Sequence, residues 1–156
     1  MNCSPPRDPS CGKSSARNED NGLTPNLLLD TQVLVRWLVD PKKLSREQLR
    51  VLRGAVRRCE PLALSAITLL EIAVLFGEGS TRLRVPAQEL LAVLGPEAGF
   101  HIVPIDVEIA AEVAAMGDVL RDPADRAIVA TARIHRLRLV TSDRRIVESK
   151  LVPVVE

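Results

Sequence analysis

The sequence predicts an α/β fold: a parallel sheet of about five strands covered by helices on both faces. Three observations point there. Five short apolar runs are spread along the chain from residue 26 onward. Helical periodicities separate them, so strand and helix alternate, the pattern of a parallel sheet wrapped by helices. Several of the helical stretches open on an acid or hydroxyl of the kind that caps helix starts.

The elements follow in order. Residues 1–25, MNCSPPRDPSCGKSSARNEDNGLTP, hold four of the eleven prolines together with serine, asparagine and mixed charge. No apolar period runs through them, so this segment reads as a disordered extension, native or produced by a misassigned start, ahead of one domain over 26–156. NLLLD (26–30) is a buried strand ending in Asp30. PLALSA (61–66), FHIVPI (100–105), LRLVTS (137–142) and LVPVV (151–155) are the other strands. Residues 45–58 form a helix capped by Ser45, with Leu49, Leu52 and Val56 on one face. A helix over 69–77 follows Thr68, and Glu71 completes a capping-box pattern with it. Residues 86–94 open with Pro86 in the first turn. Residues 107–120 follow the cap Asp106, and 123–136 follow Asp122 with Pro123 at the first position and Asp125 at the third. Asp143 caps a short helix at 144–149.

Composition narrows the function. A net charge of +1 leaves no gross basic footprint for nucleic acid. Trp37, Phe76 and Phe100 are the whole aromatic complement, too few for a base-stacking platform. No apolar stretch is long enough for a membrane span, and no signal-peptide pattern opens the chain, so it reads as soluble and cytoplasmic. Cys3, Cys11 and Cys59 are odd in number and lack metal spacing, which argues against a disulfide framework. His101 and His135 do not pair as a zinc site. No Gly-rich phosphate loop is present, and neither Ser65 nor Ser142 has the flanking glycines of a nucleophile elbow.

The acids carry the functional reading. Each has a bland explanation as a helix cap, worth about 0.5–2 kcal/mol. As a set, Asp30, Glu71, Asp125 and Asp143 fall by connectivity at the carboxyl edge of one parallel sheet, where open α/β folds bind ligands. Converging carboxylates repel one another, and a hard divalent cation such as Mg²⁺ or Mn²⁺ removes that repulsion. Asp122 is a further candidate ligand, and Asp106 is a structural cap. Arg126, Arg133 and Arg136 share a helix face that is either solvated or in contact with a phosphate-bearing ligand. Capping and metal binding both remain open at this level.

Three stretches, LLLDTQVLVRWL, LSAITLLEIAVLFGEG and RDPADRAIVATARIHRLRLVTSD, resemble in order the motifs of PIN-domain proteins. More narrowly they resemble the VapC-type toxin ribonucleases of bacterial toxin–antitoxin pairs. The resemblance implies a three-layer α/β/α sandwich and Mg²⁺- or Mn²⁺-dependent RNA cleavage leaving 5′-phosphate and 3′-hydroxyl ends. It also implies a homodimer and a small VapB-like antitoxin as partner. It assigns Asp30, Glu71, Asp125 and Asp143 to metal binding and catalysis, with Thr31 and Thr141 as supporting hydroxyls. The long amino-terminal segment departs from the family pattern. Two rival readings stand beside it: a non-catalytic PIN-like binding module, and a phosphatase of the haloacid-dehalogenase type. The latter wants an aspartate where this chain has Gln32. Trp37, Leu38 and the helix at 45–58 are the expected dimer surface.

Overall fold

In the computed structural model, residues 25–77 and 87–156 are described. The expected extension over 1–25 and the first-turn role of Pro86 fall outside them, apart from Pro25 itself. The strands are β1 (Leu27–Leu29), β2 (Leu62–Ser65), β3 (Phe100–Val103), β4 (Arg138–Val140) and β5 (Val154–Val155). They form one sheet in the order β3-β2-β1-β4-β5, and every neighbouring pair is parallel. The helices are α1 (Thr31–Val39), α2 (Arg46–Arg57), α3 (Ala66–Gly77), α4 (Ala87–Ala92), α5 (Val107–Ala115), α6 (Pro123–Ile134) and α7 (Arg144–Ser149).

The three layers follow from the period of two in β1. Leu27 and Leu29 point into a core shared with Leu34, Trp37, Leu52 and Ile72 of the first three helices. Leu28 points the other way, into a core with Ile109, Ile128, Val129 and Ile146 from α5, α6 and α7. All three leucines are buried, as a central parallel strand covered on both faces requires. β1, the middle strand, therefore delivers Asp30 to the centre of the carboxyl edge.

Helix starts follow the capping logic. Ser45 and Gln48 form a reciprocal capping box at α2. Asp106 accepts from the Ile109 amide at 2.9 Å and is structural, as expected. Asp122 and Asp143 cap α6 and α7.

The structure adds the helix α1 (Thr31–Val39), which the sequence reading did not include, and departs from that reading in other places too. α3 begins at Ala66, directly after β2, so Thr68 lies inside the helix and caps nothing. α5 stops at Ala115 rather than continuing to 120, because Gly117 takes a left-handed conformation just past its end. Trp37 is only 5% exposed and belongs to the core, so it is not available as part of the expected dimer surface, while Leu38 and the apolar face of the helix at 45–58 are partly buried against that core. Among the described residues the exposed large apolar side chains are Leu70, Val74 and Leu75 on α3, with Ile105, Val107 and Val119. Among the described residues no helix is long and apolar enough to cross a membrane.

Candidate active site

Asp30 leaves the carboxyl end of β1 and stands at the cap position of α1, yet its side chain makes no capping hydrogen bond. It is 7% exposed. Its Oδ2 instead accepts from Thr141 Oγ1 at 2.7 Å, across from the neighbouring strand β4. Burial raises its pKa, and the Thr141 hydroxyl and the amides of Gln32 and Thr31 offset part of that rise. Asp143 pushes it up further.

Thr31, the next residue, orients the second acid. Its Oγ1 donates to Glu71 Oε2 at 2.5 Å and is hydrogen-bonded to Thr68 Oγ1 at 3.2 Å. Thr68 thus serves the site from inside α3, one turn before Glu71, rather than as a cap. Glu71 has its pKa raised by burial first, moderated by Thr31 and raised again by Asp30 and Asp122.

Asp122 and Asp125 divide two jobs. Asp122 Oδ1 accepts from the Ala124 amide at 2.8 Å, an exposed cap. Asp125, one turn on, has no hydrogen bond to any backbone amide among the described residues. Its side chain is 15% exposed, and its one close polar partner is Arg145 Nη2 at 3.4 Å. Its pKa is pushed up to about 6, by burial first and then by Asp122 and Asp143, with Arg145 opposing and Asp30 adding. A partly buried carboxylate without a helix to cap is explained poorly by structure alone. Strongly shifted acids in a charged cleft mark functional sites.

Asp143 is the most fully engaged of the acids. Oδ1 accepts from the Arg145 amide at 2.8 Å, and Oδ2 accepts from Arg145 Nη2 at 2.7 Å. The Arg145 side chain accordingly holds its pKa below the ordinary range. Thr141 ties this acid to the first: the Asp143 amide donates to the same Thr141 Oγ1, at 3.0 Å, that donates to Asp30. One buried hydroxyl therefore fixes both acids.

Behind that hydroxyl sits Gln48, 1% exposed on α2. Its Nε2 donates to the Thr141 carbonyl and to Ser142 Oγ, each at 3.0 Å. Sequence reasoning missed Gln48, Thr68 and Arg145. The Ser45-x-x-Gln48 capping box was legible, but the second hand of Gln48, reaching 93 residues along the chain, was not. Arg145 had a local signal: an arginine two residues after a capping aspartate can fold back on it.

Asp30, Glu71, Asp122, Asp125 and Asp143 thus share one electrostatic field: Asp143 raises the pKa of Asp30, Asp30 and Asp122 raise that of Glu71, and all three raise that of Asp125. Arg145 is the cation that enters it. As the side chains stand, no three of them form a ready metal-holding group among the described residues. The donor set is nevertheless that of a hard divalent ion: carboxylate oxygens, unshared repulsion, and in Asp125 an acid without a hydrogen-bonded amide.

The three arginines of α6 and its end are not brought together here. Arg126 donates to the Leu120 carbonyl and lies 3.8 Å from Asp118. Arg133 pairs with Glu112 of α5 at 2.9 Å. Arg136 lies beyond the helix in a left-handed conformation, at the opposite edge of the sheet.

Comparison with known proteins identifies the family of this fold. Residues 27–150 match the PIN domain family. The chain is 35% identical over 121 residues to Ribonuclease VapC22 of Mycobacterium tuberculosis, covering 77% of this chain and 88% of the relative. The FitAcB crystal structure from Neisseria gonorrhoeae superposes with a TM-score of 0.60 at 26% identity, over 83% of this chain and 96% of that one. A toxin–antitoxin complex from Klebsiella pneumoniae does so at 0.55 and 25%, over 81% and 94%.

Proposed function

This chain belongs to the PIN-domain family, and from that premise we propose that it is a metal-dependent endoribonuclease, the toxin of a toxin–antitoxin pair acting in the cytoplasm. The observation that carries the reading is Asp125, a partly buried carboxylate with its pKa near 6 that caps nothing and faces Asp122, Asp143 and Asp30. Its position and charge suit ion binding better than helix capping.

Asp30, Glu71, Asp125 and Asp143 would hold Mg²⁺ or Mn²⁺, with Asp122 at the rim. Such an ion would supply Lewis acidity and lower the pKa of a bound water. The chain's own groups set the stage. Thr141 and Thr31 each donate a hydroxyl proton to one acid, Asp30 and Glu71, which fixes the direction of their remaining lone pairs. Gln48 holds the Thr141 backbone from behind. Arg145, 65% exposed, keeps a positive charge at the mouth of an otherwise acidic site, where an approaching phosphodiester meets it first.

The partner is a small antitoxin. An acidic cleft invites a guanidinium, and Arg145 illustrates the contact, bridging Asp143 and Asp125 at 2.7 and 3.4 Å. An arginine from the antitoxin in this place would exclude both ion and RNA. The protein forms a homodimer through Leu70 and Val74, four apart on α3 and more than half exposed. Induction in cells, with sequencing of RNA ends, tests the reading. New 5′-phosphate ends and growth arrest, both relieved by co-expressing the adjacent small open reading frame, support it. Arrest without new RNA ends would refute it.

A further inference from the structure

The opposite edge of the sheet carries the reverse charge. A groove of about 510 Å³ there is lined by Arg50, Arg57, Arg58, Arg136 and Arg138, with Glu60 as the one acid. For a chain of net charge +1 this is a steep local excess. Asp125 and Arg136 stand at the two ends of α6, about 16 Å apart along the helix axis. The groove is therefore separate from the carboxylate site.

The groove has a built floor. Glu60, 9% exposed, accepts from Asn26 Nδ2 at 2.6 Å and from Arg58 Nη2 at 2.8 Å. Arg58 reaches it by crossing Gly54, where a Cβ would stand 3.1 Å from Arg58 Nη1. A side chain at 54 would crowd the guanidinium. Arg50 is paired with Glu47. Arg57, Arg136 and Arg138 are exposed and make no ion pair among the described residues. Arg136 sits at φ 54, a conformation that favours glycine or asparagine, yet the residue there is arginine.

We propose that this groove is a second RNA-binding site that holds the phosphodiester backbone of single-stranded RNA away from the cleavage site. The proposal rests on the ribonuclease reading for its choice of RNA as ligand. Guanidinium groups match phosphate geometry. No aromatic side chain lines the groove, so bases are not stacked and binding is electrostatic and indifferent to sequence. The groove also answers a difficulty of the acidic edge, which repels RNA until an ion is bound.

The test is fluorescence anisotropy of the full chain with a non-cleavable 2′-O-methyl RNA oligomer, in EDTA, across a salt series. Three unpaired arginines predict a slope of log K against log salt of about −2, from about −0.7 per phosphate neutralised on a single strand. Replacing Arg57, Arg136 and Arg138 together by Gln should bring the slope near zero and weaken binding at least about tenfold at low salt. Replacing all three by Lys should keep most of the slope. If the triple Gln variant does not fold, Arg57→Gln alone, at the exposed end of α2, should remove about 0.7 of the slope. Unchanged binding in the Gln variants overturns the proposal. So does displacement of the oligomer by inorganic phosphate or a mononucleotide at equal concentration, which would make this a small-anion site. Binding that depends on the groove in a protein unable to cleave RNA with Mg²⁺ or Mn²⁺ would sink the ribonuclease reading and leave the groove standing.

Discussion

Replacing Asp125 with Asn should stabilise the ion-free protein while abolishing RNA cleavage. The folded chain raises the Asp125 pKa from 3.8 to about 6. An acid with a raised folded pKa holds its proton more tightly folded than unfolded, so its charged form destabilises the fold. The penalty is absent below pH 3.8, grows as pH rises toward 6, and is complete above it. At about 1.4 kcal/mol per tenfold change in affinity, the full penalty is up to about 3 kcal/mol. Asn is close to isosteric, keeps no charge and disturbs no cap, since Asp122 performs that job. Thermal melts in EDTA should therefore place Asp125→Asn above wild type at pH 8, by up to about 6–12 °C for a domain of this size. The gap should close by pH 4. Adding Mn²⁺ should raise wild type and leave the variant unmoved, because only a protein that binds the ion is stabilised by it. A variant less stable than wild type at pH 8, or a gap that persists at pH 4, would show that Asp125 supports the helix and would refute the electrostatic argument.

Asp122→Asn should melt within about 0.5 kcal/mol of wild type and keep most cleavage, since Asn caps as well as Asp; severe loss of activity in a folded variant would place Asp122 among the ion's ligands. Thr141→Val removes the one hydroxyl that serves both Asp30 and Asp143. Denaturation at neutral pH should register about 1–3 kcal/mol of lost stability for the stranded buried acceptor, together with weaker Mn²⁺ binding; an unchanged midpoint would show that another donor replaces it. Leu70→Glu with Val74→Glu should convert a dimer to a monomer in sedimentation, whereas Leu38→Glu should unfold the domain rather than dissociate it. A dimer that survives the α3 substitutions would move the interface elsewhere.

Much of this molecule is written locally. Strands such as Leu62–Ser65 and Phe100–Val103 are short apolar runs that only a doubly covered sheet can bury. Asp106, Asp122 and Asp143 cap through amides two or three residues away. Such contacts need no tertiary knowledge. Thr68 was misread because Thr68 and Glu71 have capping-box spacing, while the true start, Ala66, follows Ser65, whose hydroxyl belongs to strand β2 and accepts from Thr131 across 66 residues. Trp37 was misread as surface for a related reason. Trp37 and Leu38 are adjacent apolar residues in sequence, but only the sheet beneath α1 tells whether they are core or interface. Gln48, Thr68 and Arg145 stayed invisible in their functional roles. Gln48 meets Thr141 across 93 residues and Thr68 meets Thr31 across 37. Arg145 bridges Asp143, two residues away, to Asp125, which lies on another helix. That the acids gather at one edge was legible from connectivity. That Asp125 does not cap the helix it opens was not, because that depends on which amides each carboxylate reaches.

The central claim is that the carboxyl-edge acids form a metal-dependent RNA-cleaving site. Its most direct test is cleavage of a labelled RNA by the purified protein, with Mg²⁺ or Mn²⁺ and with EDTA, in wild type and Asp125→Asn side by side. The account predicts cleavage in wild type with metal, none in EDTA, recovery when metal is restored, and none under any condition for Asp125→Asn. Cleavage that persists in EDTA, or that Asp125→Asn retains in full, would contradict it.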